Sequence, residues 1–222
     1  MGPMNARDPQ GVRDPVQARI RHARPDDAPD AVPLIFSAGP DAFNFVFSHR
    51  TRLDARGFIA HAFASDRGEF SWRHHWVVEL DGEVAGTAMG YTGAAARHFL
   101  WPAVGHIFRC YGVVGTVPVI RRGLQIEKII VPPTRADMFY IGNVAVSPAL
   151  RGHGIGQQIM EHMHAEGRRQ GATVCALDVS AANPRAEALY TRMSYRVVKE
   201  NVSRLENAGG RVADHRRMEL EL

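Results

Sequence analysis

Two cysteines in 222 residues, Cys110 and Cys175, exclude a disulfide framework and a thiolate zinc site. Cys175 sits inside an apolar run, where a buried and inert thiol is the default. Lysine is almost missing: Lys128 and Lys199 are its only occurrences, so arginine carries the basic charge. No apolar run approaches the ~18 residues of a membrane span. Residues 1–17 are polar and rich in Pro, Asp and Arg, without the apolar core of a signal peptide. These absences predict a cytoplasmic protein with no membrane partner and a disordered extension over 1–17. The eleven histidines lack ligand spacing. His74 and His75 point to opposite faces of a strand, and His162 and His164 stand two apart on a helix, where chelation needs four. No metal is expected.

The apolar fraction, 45%, and the charged fraction, 23%, are those of an ordinary globular protein. The length permits a substantial core. A formal charge of +4 suits an anionic ligand. It also suits nucleic acid, but no basic run with interleaved aromatics is present, so no nucleic-acid partner is expected.

Periodicity and breakers give the element order. Ala18 to Ala23 reads as a strand, and Arg24-Pro25-Asp26-Asp27 starts a helix that Gly39-Pro40 ends. Ala42 to Phe47 and Ala55 to Ala64 look helical. Trp76 to Leu80, Asp81-Gly82 and Glu83 to Tyr91 form a hairpin signal, with Gly86 and Gly90 marking bends or close backbone approach. Residues 93–136 are too long for a plain loop and read as an insertion. Within it, Arg97 to Tyr111 looks helical despite Pro102, and Val117 to Ile130 holds a second short apolar element before Pro132-Pro133. Strands follow over Met138 to Val146, Thr173 to Val179, Tyr195 to Glu200 and Arg216 to Leu222. A helix spans Ile155 to Gln170.

The most specific stretch is Arg151-Gly152-His153-Gly154-Ile155-Gly156, set between a strand and a helix. Glycines clear side chains from the turn, so backbone N–H groups and the helix dipole can close on a phosphate. A structural Gly-rich turn is the plain alternative. Gln157-Gln158 stand where a Walker loop needs Lys-Ser/Thr. The Gly-x-Gly-x-Gly spacing, with Ser147 to Arg151 intervening after the strand, fits a dinucleotide fingerprint poorly, although Asp178 lies at the distance of a ribose ligand.

The Arg-x-x-Gly-x-Gly pattern after a Val-x-Pro strand end resembles the GNAT superfamily of acyl-CoA N-acyltransferases. Asn183-Pro184-Arg185-Ala186-Glu187-Ala188-Leu189-Tyr190 resembles that family's Asn-x-x-Ala-x-x-Leu-Tyr helix. Ser194-Tyr195 departs from the Gly-Phe that usually follows. The resemblance implies an α/β (α+β mixed) fold: a mostly antiparallel mixed sheet of about six or seven strands flanked by helices, over a single domain at 18–222. It implies transfer of an acetyl group from acetyl-CoA to a primary amine, small-molecule or peptide, by direct attack in a ternary complex. The pyrophosphate would bind residues 151–156. The pantetheine arm would pair with Asn143, Val144, Ala145 and Val146 at a bulge, where a backbone N–H near Asn143 or Val144 would polarise the thioester. Tyr190 would protonate the leaving thiolate. Asn183 is a cofactor contact, a helix N-cap, or both.

The general base is open. Phe139 to Asn143 offer no carboxylate, leaving Glu79, Asp178, His106 and His75 as candidates. Phe43, Phe45, Tyr91, Phe99, Trp101 and Tyr111 could line an acceptor pocket, pack the core or form a dimer interface, and a homodimer stays open. A cofactor-binding sensor or pseudo-enzyme on the same fold is the competing reading.

Overall fold

The computed structural model describes residues 18–48, 53–130 and 135–222. The expected disorder of 1–17 and the Pro132-Pro133 stop lie outside these residues. A seven-stranded mixed sheet has the order β1-β2-β3-β4-β5-β9-β6. Its strands are β1 (Arg19–His22), β2 (His75–Leu80), β3 (Glu83–Thr92), β4 (Met138–Val146), β5 (Val174–Ser180), β6 (Arg196–Asn201) and β9 (His215–Glu221). Only the β4–β5 pair is parallel. A two-stranded ribbon of β7 (Glu206–Asn207) and β8 (Gly210–Arg211) forms between β6 and β9. The β2–β3 reversal uses Asp81 and Gly82 at φ 52° and 86°, the left-handed pair that a tight hairpin demands.

Alternation along the strands sorts side chains to two faces. Phe139 and Ile141 of β4 and Trp76 and Val78 of β2 pack with Ile155, Ile159 and Met163 of helix α6 (Ile155–Arg169). On the opposite face, Val77 meets Ile35 of α1 (Ala28–Ala38) and Ile59 and Phe63 of α3 (Ala55–Phe63). Asp54 caps α3 by accepting the Gly57 N–H at 2.8 Å. Phe45 and Phe47 of α2 (Pro40–Phe47) join Phe58 and Tyr111 in a third cluster.

The insertion is helical. A short α4 (Gly93–Ala96) precedes α5 (Leu100–Ile126), which continues through the expected gap between residues 111 and 117. Its backbone breaks at Gly112 (φ 65°, ψ −174°), so two helical halves meet at a kink. By length and composition alone α5 passes for a membrane span, contrary to the sequence expectation. Ile107, Cys110, Tyr111, Gly115 and Val119 nevertheless bury one side of it, and the Tyr111 hydroxyl donates to the Phe47 carbonyl at 2.7 Å.

Both marked glycines of β3 stand at close approaches. A Cβ on Gly86 would lie 2.9 Å from the Ala145 carbonyl oxygen, and one on Gly90 would clash with Met163 Cε and the Phe139 ring. Gly90→Val is therefore expected to destabilise the fold by about 1–3 kcal/mol. Gly123→Ala, where an added Cβ meets nothing within 4 Å, is expected to stabilise it by about 0.5–1 kcal/mol. Urea denaturation midpoints check both signs.

Candidate functional site

β4 belongs to the sheet on both sides only at its start. It pairs with β5 through Met138, Phe139 and Tyr140, and the last partner is Ala176. On its other side it stays with β3 to Val146, interrupted by a register shift between Thr87 and Met89 opposite Gly142 to Ala145. Asn143 sits in that bulge at φ 51°, a conformation asparagine tolerates better than most residues. Beyond Tyr140 the two parallel strands therefore part, and Gly142 to Val146 run along the opening.

Local contacts hold the bulge. His75 Nδ1 lies 2.9 Å from the Ser71 carbonyl, which can only accept, so Nδ1 carries the proton. Nε2 is then an acceptor, and Asn143 Nδ2 donates to it at 3.4 Å. Burial lowers the His75 pKa to about 4, and the ring stays neutral. His75, expected as a base candidate, instead fixes Asn143.

The opening leads to the glycine turn. Gly152 (φ 87°) and Gly154 (φ 79°) are both left-handed, and Gly154 is the N-cap of α6. The first N–H groups of that helix have no intrahelical acceptor. Arg151 Nε donates to the Val146 carbonyl at 3.2 Å and ties the turn to β4. His153 Nδ1 lies 3.3 Å from the Leu150 carbonyl. A Cβ on Gly152 would stand 3.6 Å from an Arg185 guanidinium nitrogen, which puts a second cation beside the turn. Arg185 was not among the expected site residues, although it stands inside the Asn-Pro-Arg run.

Helix α7 (Pro184–Arg192) comes against the turn, with Leu189 Cδ2 3.4 Å from where a Cβ on Gly156 would stand. Asn183 caps it by accepting the Ala186 N–H at 3.1 Å. Tyr190 is 7% exposed, packs in the cluster that holds Ile155, and has Val144 and Val146 against the same cluster. Burial pushes its hydroxyl up to about 12. Ser194 takes the left-handed conformation (φ 69°) where a glycine was expected, and the turn into β6 is kept.

A polar row crosses the sheet at the root of the opening, on the face away from α6. Tyr91 and Tyr140 are directly opposed in the β3–β4 register, with ring centroids 5.5 Å apart. The Tyr91 hydroxyl donates to Glu69 Oε1 at 2.9 Å, and that of Tyr140 to Asp178 Oδ2 at 3.2 Å. Arg217 pairs with Asp178 at 2.9 Å. Desolvation raises the pKa of the Glu69 carboxyl. Glu69 carries no signal in the sequence because it lies in a loop far from every motif.

The remaining base candidates are engaged elsewhere. Glu79 is held by Arg21 at 2.7 Å, which lowers its pKa. His106 Nδ1 lies 3.3 Å from His61 Nε2, in an open cleft of about 600 Å³ that Trp101 and Arg109 also line. Among the aromatic candidates, Phe45 and Tyr111 are core residues, Phe43 and Phe99 are half-buried, and Trp101 lines that cleft. Burial raises the pKa of both Cys110 and Cys175, which suits neither as a nucleophile. Among the described residues no group of three His, Cys, Asp or Glu side chains could hold a metal.

Residues 43–195 match the model of the "Acetyltransferase (GNAT) family". No curated protein sequence matches the chain significantly. Solved structures do. An acetyltransferase is 22% identical, over 91% of this chain and 98% of its own, with a TM-score of 0.61. An N-acetyltransferase from Staphylococcus aureus Mu50 is 18% identical over 91% and 100%, with a TM-score of 0.65. A polyamine N-acetyltransferase from Drosophila melanogaster is 13% identical over 93% and 100%, with a TM-score of 0.58.

The neutral His75 gives this site a signature in acid. Its folded pKa lies below the ordinary value of ~6.5, so its contribution is complete above pH 6.5 and is lost as pH falls toward 4. By linkage that loss is on the order of 3 kcal/mol. Thermal melts from pH 7 to 4.5 are expected to show a falling midpoint, and His75→Gln should flatten the slope. An unchanged slope in the variant would place the acid sensitivity elsewhere.

Proposed function

Because the chain belongs to the acetyltransferase (GNAT) family, we propose that it transfers an acetyl group from acetyl-CoA to a primary amine by direct attack in a ternary complex. The observation that carries this reading is the parting of β4 from β5 beyond Tyr140, continuous with the Gly152–Gly156 turn. An acyl-CoA has three parts to hold, and the opening offers a partner for each. The pyrophosphate fits Gly152, His153, Gly154, Ile155 and Gly156, with Arg151 and Arg185 beside it. The peptide-like pantetheine arm fits the edge of Asn143, Val144, Ala145 and Val146. The thioester then reaches the bulge, where a backbone N–H of Asn143 or Val144 would polarise its carbonyl. One such donor typically lowers a barrier by about 2.7–4 kcal/mol.

The amine nitrogen attacks the thioester carbon, the C–S bond breaks, and the ammonium proton must leave. An amine of pKa ~10.4 is almost wholly protonated at neutral pH. Glu69 is our choice of base: its raised pKa brings it nearer the amine's, and Tyr91 orients its carboxyl. The loop carrying it runs beside the cleft, since a Cβ on the preceding Gly68 would meet Pro102 and His106.

Tyr190 acts on the sulfur. Its pKa of about 12 exceeds the ~8.5 of a free thiol, so complete proton transfer to the thiolate is uphill. A hydrogen bond donated to the developing thiolate is the better description. The sensor alternative shares this pocket but gives a base nothing to do.

Steady-state kinetics on an amine panel separates these roles. Tyr190→Phe is expected to lower kcat about 10–100-fold with little change in the acetyl-CoA KM, the pattern of an interaction made only in the transition state. Glu69→Gln is expected to lower kcat/KM for the amine about 10²–10⁴-fold and to remove the acidic limb of its pH profile. An acidic limb retained in Glu69→Gln would remove Glu69 as the base. Acetyl-CoA binding with no turnover on any amine would favour the sensor.

A further inference from the structure

We propose that the outer face of α5 seats the protein on an anionic lipid surface. Seven of the ten exposed large apolar side chains among the described residues belong to this one helix. Trp101 is 80% exposed, Val114 86% and Val117 62%, and Phe108 and Leu124 are more than half exposed. Trp101 and Phe108 stand on the outer side of the first half, away from the buried Ile107 and Cys110, and Val113, Val114, Val117 and Leu124 on that of the second half, away from Gly115 and Val119. Scattered exposed apolar groups are ordinary, but so many on the outer side of one element mark an interaction surface.

Charge selects the occupant. Of 27 basic and 23 acidic residues, five and one fall within 97–128, so this segment carries the whole formal +4 and the rest of the chain is neutral. Arg97, Arg109, Arg121 and Lys128 are exposed along the ridge, with Glu127 the single acid. Arg122 is turned inward to the Ser48 carbonyl at 2.9 Å. An apolar ridge flanked by cations, with Trp and Phe at one end, is the pattern of a helix lying in the headgroup region of a bilayer. A second copy of the chain fits worse, because ridge-to-ridge packing would bring two sets of the same cations, Arg109, Arg121 and Lys128, into one interface with a single acid from each copy. Spanning the bilayer is excluded by the kink at Gly112 and by the inner face packed on α2 and α3. The sequence offered no membrane partner because only a spanning run was expected to signal one, and a helix lying along the surface needs none.

The test is co-sedimentation of the full chain with vesicles of phosphatidylcholine alone or mixed equally with phosphatidylglycerol. Each cation beside an anionic surface is worth about fivefold in partitioning. Binding to the mixed vesicles is expected to exceed that to neutral ones at least tenfold and to fall in ~0.5 M salt, where charges are screened within a few ångströms. Val114→Glu/Val117→Glu and Arg121→Glu/Lys128→Glu should each lose binding about tenfold or more, with melting temperatures unchanged because these side chains are exposed. Equal partitioning to both vesicles, none to either, or vesicle binding that both double variants retain would overturn the proposal. So would a stable dimer in sedimentation velocity that Val114→Glu/Val117→Glu dissociates, since the ridge would then be a protein interface.

Discussion

The parting of β4 from β5 governs everything else about this molecule. Parallel strands in a closed sheet satisfy each other's backbone groups along their length, and these two do so for three residues only. Asn143 in a left-handed conformation supplies the bend. Such backbone costs of order 1 kcal/mol or more and persists only when neighbours fix it. His75, buried and neutral, is the neighbour that accepts from the Asn143 amide. Residues 142–146 run beside the space this bend opens, and the chain leads from them into the glycine turn.

The two faces of the sheet divide the work. On the α6 side, Ile155, Ile159, Met163 and Tyr190 pack in the main apolar core. On the other, Glu69, Tyr91, Tyr140, Asp178 and Arg217 make a hydrogen-bonded polar row. Adjacent residues of one strand, Phe139, Tyr140 and Ile141, serve both faces through the period of two.

Local chemistry decided what could be read from the chain. The hairpin at Asp81-Gly82, the cap at Asn183 and the turn at Gly152–Gly156 each depend on residues a few positions apart, so composition and spacing betray them. Two motifs in order were enough to indicate the family. Glu69 and Arg185 were invisible because their roles depend on a fold that brings distant segments together. The continuity of α5 was hidden because the sequence showed two separate apolar stretches, which the structure joins through a kink at Gly112. Serine at position 194 taking a glycine's backbone shows tertiary packing overriding a local preference.

We propose the opening between β4 and β5 as an acyl-CoA site. Calorimetric titration of acetyl-CoA into the purified protein decides the matter, with NAD as the control and Gly154→Glu as the matched variant. The expected result is micromolar binding of acetyl-CoA, none of NAD, and loss of binding in the variant, whose carboxylate would face the pyrophosphate. Wild-type affinity retained in Gly154→Glu, or NAD bound in place of acetyl-CoA, would contradict it.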